Sequence, residues 1–225
     1  TTRANCHERD IDQGGQEQWK QTVRNIGTNY GATAYDVLVT QDNGYLVVGA
    51  VRTSMIESIL KDIIIIKYGA SGNELWRKTI NKGGDDVAWS IAQAANGDYI
   101  VGGYFQQAND EPTAVRHTEA FAMRLSSSGK EIWTRAFGQT GKNETKYIEA
   151  TEDGRIILII NSYDQLISIN EASSKRLVLD AQGNTESEKE VFENQKLFHF
   201  ETSPAQEVEV GHKLQQNELL IYRRR

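Results

Sequence analysis

The stretch DIIIIKYGASGNELW at residues 62–76 returns as EAFAMRLSSSGKEIW at residues 119–133. In both, an apolar run ends in a small-residue turn with Gly at the same place, and Trp closes the segment. Trp19, Trp76 and Trp133 stand 57 residues apart both times and are followed by KQTVRNIG, RKTINKGG and TRAFGQTG. Between these landmarks AYDVLVTQDNGYLVVGA (34–50), AWSIAQAANGDYIVGGY (88–104) and TKYIEATEDGRIILIIN (145–161) fall into register. Elements recurring in one order at a fixed period mark a repeat architecture. A weaker copy, LVLDAQGNTESEKEVF at 177–192, puts Ser187 at the tryptophan position. Three short segments follow it: KLFHFET, QEVEVGHK and NELLIYR.

Each unit reads as four strands, in the first copy 34–40, 45–51, 62–68 and 74–80, rich in Val, Ile, Tyr and Trp. The continuously apolar run 63–66 predicts a strand buried on both faces. Asp42-Asn43-Gly44, Asn96-Gly97-Asp98 and Asp153-Gly154 supply residues that tolerate the positive φ of tight hairpins. Only two prolines are present, so Gly and Asn carry the turns. Nothing of comparable length has helical apolar spacing, 53–61 aside. The reading is all-β, and four antiparallel strands per unit predict the blade of a propeller, whose radial closure removes exposed edges. The blades fall at 25–81, 82–138, 139–192 and 193–225, after an N-terminal tether at 1–15. The segment 16–24 is expected to complete the last blade and close a four-bladed ring.

The pattern carried by Trp76, Gly83, Gly84, Asp86, Ala88, Ser90, Gly97, Tyr99, Gly102, Gly103, Gly129 and Trp133 resembles the bacterial secreted propeller repeats of surface and cell-envelope proteins. The resemblance covers 16–192 well and 193–225 poorly, and as a four-bladed ring the chain resembles hemopexin-like and small lectin-like propellers in architecture alone. It implies an extracytoplasmic protein: periplasmic, cell-surface or secreted.

The 225 residues suffice for a buried core, and 31 Asp+Glu against 25 Lys+Arg give a formal charge of −6. That balance argues against nucleic acid as a partner. No apolar run approaches the length of a membrane-spanning helix. Cys6 has no second cysteine to pair with; upstream of a short tether it could carry a lipid anchor, although TRAN before it lacks the apolar run that such processing needs. The histidines His7, His117, His199 and His212 have no metal-ligand spacing, no nucleophile has a recognisable base, and neither metal nor cofactor is expected.

Hairpin turns are short at one end of each unit, whereas the connections 52–61, 105–118 and 161–173 are long at the other. Long loops gathered at one end of a rigid scaffold are where binding usually sits. The candidate ligand-binding residues are therefore Tyr30, Arg52, Asp110, Glu111, Arg116, His117, Tyr163 and Asp164. Aromatic rings beside Asp, Glu and Arg suit glycans, because a ring covers the apolar face of a sugar while polar groups bond its hydroxyls. The sequence thus predicts a monomeric, non-catalytic, lectin-like module. The alternatives are docking to an envelope protein, or glycan cleavage with Asp110, Glu111 and Asp164 as acid and base. Asp85-Asp86 and Glu152-Asp153 are not assigned to catalysis, and the tryptophans are expected to pack between blades.

Overall fold

The computed structural model describes residues 6–11, 17–23, 31–52, 60–106, 117–138, 140–163, 172–192, 195–203, 206–213 and 218–223. These residues form seventeen strands and no helix. The first repeat is a four-stranded antiparallel sheet in chain order: β3 (Ala32–Val39), β4 (Tyr45–Arg52), β5 (Lys61–Tyr68) and β6 (Glu74–Ile80). The second repeat follows the same course with β7 (Val87–Gln93), β8 (Tyr99–Gln106), β9 (Thr118–Leu125) and β10 (Glu131–Phe137). The third comprises β11 (Lys142–Ala150), β12 (Ile156–Tyr163), β13 (Ala172–Leu179) and β14 (Thr185–Phe192). One parallel bridge, Lys142 to Thr118, joins the second and third repeats into an eight-stranded sheet. The turns are those the sequence demanded: Asn43 adopts a φ of 58°, and Gly97 and Gly154 occupy the same positive region.

The repeats pack sheet on sheet. Leu46, Val48, Ile63 and Ile65 of the first repeat meet Ile91, Val101, Phe121 and Met123 of the second, where Phe105 and Phe121 stack at 4.2 Å. The opposite face of the second repeat, Ile100, Ala120 and Ala122, meets Ile148, Leu158 and Leu177 of the third. The central strands are therefore buried on both sides, as the run 63–66 required. Close approach explains Gly102, where a Cβ would lie 2.4 Å from the Ile148 side chain.

Two devices tie the first repeat to the second and the second to the third, and another secures the turns of the first two. The Trp76 indole donates to the Ser127 carbonyl at 3.3 Å and lies over Gly129, while Trp133 donates to Ala181 at 3.1 Å and lies over Gly183. Both glycines have φ near +80°, and a Cβ on either would come within about 3.1 Å of the indole, so the seat needs glycine twice over. On the inner strands, the Asp36 carboxylate accepts from Ile91 N at 2.9 Å, and the Ser90 hydroxyl accepts from Ile148 N at 3.2 Å. On the third strands a cation secures the neighbouring turn. Buried Lys67 donates to Thr40, Asp42 and the Tyr68 carbonyl; the Thr40 hydroxyl and then Lys67 hold the Asp42 carboxyl down to about 2. Arg124 pairs with Asp98 at 2.9 Å and reaches the Ala181 carbonyl.

The last segment forms β15 (Gln195–Ser203), β16 (Gln206–Lys213) and β17 (Glu218–Arg223), a separate three-stranded sheet. The expected closing segment 16–24 contains β2 (Glu17–Val23), which pairs with β1 (Cys6–Ile11) rather than with β17, so the sheets are not joined into a ring. β1 falls within the stretch expected to be a tether. Five residues of sequence separate β1 from β2, whereas nearly the whole chain separates β2 from β17, and closure entropy favours the local partner.

Candidate functional site

The inner strand of every repeat carries one extra residue near its start. Ala34 pairs with Gly49 and Asp36 with Val48, leaving Tyr35 outside the register. Trp89 is left out in the same way between Ala88 and Ser90, and Lys146 between Thr145 and Tyr147. The register of β15 repeats the irregularity at Phe198. A bulge re-aims the side chain it carries, and bulges gather beside functional sites. All lie toward the end from which the long connections leave.

In the described residues the three bulged side chains form one cluster. The Tyr35 and Trp89 rings lie 4.2 Å apart at 54°, and Tyr104 lies 6.4 Å beyond Trp89. The Lys146 ammonium sits 3.7 Å from the Trp89 ring centroid and is held by Glu144 at 2.6 Å. Glu144 also accepts from the Tyr163 hydroxyl at 2.9 Å, and the Lys142 ammonium stands 5.8 Å from the Tyr163 ring. Burial, followed by the charges of Asp85 and Glu144, pushes the Tyr104 hydroxyl well above its ordinary range. Burial and Glu144 do the same for Tyr163. Both phenols therefore stay protonated as hydrogen-bond donors. The Trp89 indole N–H is buried and has no acceptor among the described residues. An orphaned buried donor costs roughly 1–3 kcal/mol and calls for an explanation such as a ligand.

Among the expected residues, Tyr163 belongs to this cluster. Arg52 is exposed at the end of β4, its amide donating to the Gly31 carbonyl at 3.2 Å. His117 accepts from Gly141 N through Nδ1 at 3.0 Å, so it ties β9 to the connection that precedes the third repeat. Tyr30, Asp110, Glu111, Arg116 and Asp164 lie outside the described residues. Sequence reasoning missed Tyr35, Trp89, Tyr104, Glu144 and Lys146. The available signal was one column of the repeat alignment, which holds Tyr35, Trp89 and Lys146.

The acidic pair between the first two repeats is structural. Asp86 is fully buried and accepts from Lys82 N at 2.5 Å and Gln106 N at 3.1 Å; burial, with Asp62 and Asp85 nearby, lifts it to about 6. Asp85 accepts from Lys61 N at 2.9 Å. Among the described residues no three His, Cys, Asp or Glu side chains are grouped to hold a metal. A separate groove of about 650 Å³ lies at the hairpin-turn end of the third repeat, with Ile157 and Val178 beside Arg155, Glu186 and Ser187.

No protein-family model and no curated protein sequence matches the chain. Among solved structures it is similar to a protein of unknown function from Bacteroides caccae, with a TM-score of 0.51 and 10% identity over 94% of this chain and 65% of that one. It is also similar to an endo-arabinase from Bacteroides thetaiotaomicron VPI-5482, with a TM-score of 0.51 and 9% identity over 85% of this chain and 74% of the enzyme. The chain thus spans a little under two thirds of the first protein's length. At such identities the likeness establishes an all-β fold and nothing about activity.

Proposed function

We propose that the protein is a non-catalytic recognition module that binds a glycan at the long-connection end of the fold, around Trp89. The observation that carries this reading is the buried Trp89 N–H, without an acceptor among the described residues and set among Tyr35, Tyr104, Glu144, Lys146 and Tyr163. Phenol hydroxyls, an indole donor and a carboxylate beside aromatic surface are the groups that pair with sugar hydroxyls and ring faces. The fold shared with an endo-arabinase supports a polysaccharide as ligand class. Glu144 is engaged by Tyr163 and Lys146, and Asp85 and Asp86 by backbone N–H groups, which favours binding over proton transfer. The scaffold in this reading is a four-bladed propeller, with β15–β17 as the fourth blade, working outside the cytoplasm as a monomer with or without a lipid on Cys6. A second reading, docking to an envelope protein, is supported by Leu75 and Ile132, both about half exposed at matching places on the outer strands.

A glycan panel that includes arabinan oligosaccharides tests the first reading. The parent is expected to bind a member of the panel, and Trp89→Ala to lose at least about tenfold in affinity, equivalent to about 1.4 kcal/mol, with an unchanged fold by circular dichroism. Unaltered affinity in Trp89→Ala, or no binding to any glycan, would overturn it.

A further inference from the structure

In the first two repeats a cation near the end of the third strand faces a tryptophan on the outer strand. Lys67 opposes Trp76, and Arg124 opposes Trp133. The third repeat has neither: Val178 stands at the place of the cation and opposes Ser187 at the place of the indole. A long basic chain and an indole are thereby missing from one end of the sheet. The groove of about 650 Å³ lies there, lined by both Val178 and Ser187. Its volume falls in the range of pockets that take small molecules.

The turn that receives the cation is nonetheless kept. In the first repeat the Thr40 hydroxyl donates to Asp42, and the Lys67 ammonium donates to both residues at 2.9 Å. The third repeat rebuilds that pair, with the Thr151 hydroxyl donating to Asp153. This bond holds the Asp153 carboxyl below its ordinary range, as the Thr40 hydroxyl does for Asp42. Thr151 and Asp153 both line the groove, so a seat for an ammonium group persists beside a strand that no longer supplies one.

The surrounding charge suits a cation. Arg155, half-exposed at the place of Gly44, bridges Asp153 and Glu186, the latter at 2.7 Å. Glu152 is exposed beside them. Together with Arg176 the lining holds three carboxylates against two guanidinium groups, and the surplus is negative. Ile157 and Val178, both buried, supply the apolar part of the wall, which suits the face of an aromatic ring.

We propose that this groove binds a small organic cation that carries an aromatic ring, with the cationic group at Thr151 and Asp153 and the ring against Ile157 and Val178 beside Ser187. The ligand supplies from outside the two groups that the first and second repeats carry on their own strands. The site lies at the opposite end of the fold from the Trp89 cluster and stands or falls independently of the glycan reading.

Tryptamine is the probe, because it joins an indole to an ammonium group by a short chain. Indole-3-propionate, with the same ring and the opposite charge, is the control. In calorimetric titrations of the full chain, tryptamine is expected to bind at least about tenfold more tightly than the control. Its addition is expected to shift the amide resonances of residues 151–157, 176–178 and 186–187. Val178→Lys returns the built-in ammonium, and Asp153→Asn removes the charge that receives it. With the fold unchanged by circular dichroism, each is expected to weaken tryptamine binding by at least about tenfold. Asp153 is exposed, so its variant reads the site even where a lysine at 178 disturbs folding. Equal affinity for the two probes, unaltered affinity in Asp153→Asn, resonance shifts confined to other residues, or no binding at millimolar tryptamine would overturn the proposal.

Discussion

Val37 and Ile91 occupy the same place on the inner strands of successive repeats, yet Val37 is 61% exposed and Ile91 7%. Ile148, at that place in the third repeat, is 3% exposed. Ile91 lies against Leu46 and Val48 of the repeat before it, and Ile148 against Ile100 and Ala122. The side chains are of one chemical kind, and the setting decides their burial: each repeat supplies half of a core that its neighbour completes. The tryptophan position gives the complementary contrast. Trp133 is seated on the Gly183 turn of the next repeat, whereas Ser187, one repeat further, lines an open groove.

The widest gap should appear at that position. Trp133→Ala is expected to cost about 3–5 kcal/mol in denaturant melts, and Ser187→Ala less than about 0.5 kcal/mol. A small effect at Trp133 would mean that the indole seat adds little to the joint between repeats. Next, Ile91→Ala should cost about 2–5 kcal/mol while Val37→Ala stays below about 0.5 kcal/mol. Comparable losses at both would reveal a covered Val37 in solution and support a closed ring. The smallest effect concerns Asp86, whose place in the third repeat is held by Asn143, a residue that does not titrate. Its folded pKa is raised, so the contribution is fully present below about pH 4 and is lost as pH rises through about 6. Between pH 7 and pH 5 the Tm of the parent should therefore climb relative to Asp86→Asn. A constant difference would place Asp86 in the ordinary carboxylate range.

The four-strand period, the positive-φ turn residues and the doubly buried run 63–66 were legible because each leaves a local mark: spacing, glycine or asparagine, or unbroken apolarity. The role of Trp76 and Trp133 between repeats was legible from their recurrence. The cluster around Trp89 was not read, because a bulge inserts one residue into an alternating strand and its single mark was one column of the repeat alignment, with no spacing or glycine to set it apart. His117 looked like a ligand group in a loop, yet its ring nitrogen serves a backbone amide that only the folded chain brings near. The pairing of β1 with β2 was missed for a related reason. CHERDI has no apolar alternation, so nothing in its composition marks it as a strand, and its closeness in sequence to β2 was the one hint.

Tyr35, Trp89 and Lys146 stand outside the pairing register, so a change at any of them leaves the alternation of its neighbours intact. A one-residue slip flips a whole strand inside out, and in-register positions are further bound to the face they present. The bulged positions are exempt. The repeat has therefore provided several copies of one position that stands outside the ladder on a fixed frame. Phenol, indole and ammonium already occupy three of them. Selection can exchange these groups one at a time, and a designer can do the same, without having to refold the protein that carries them.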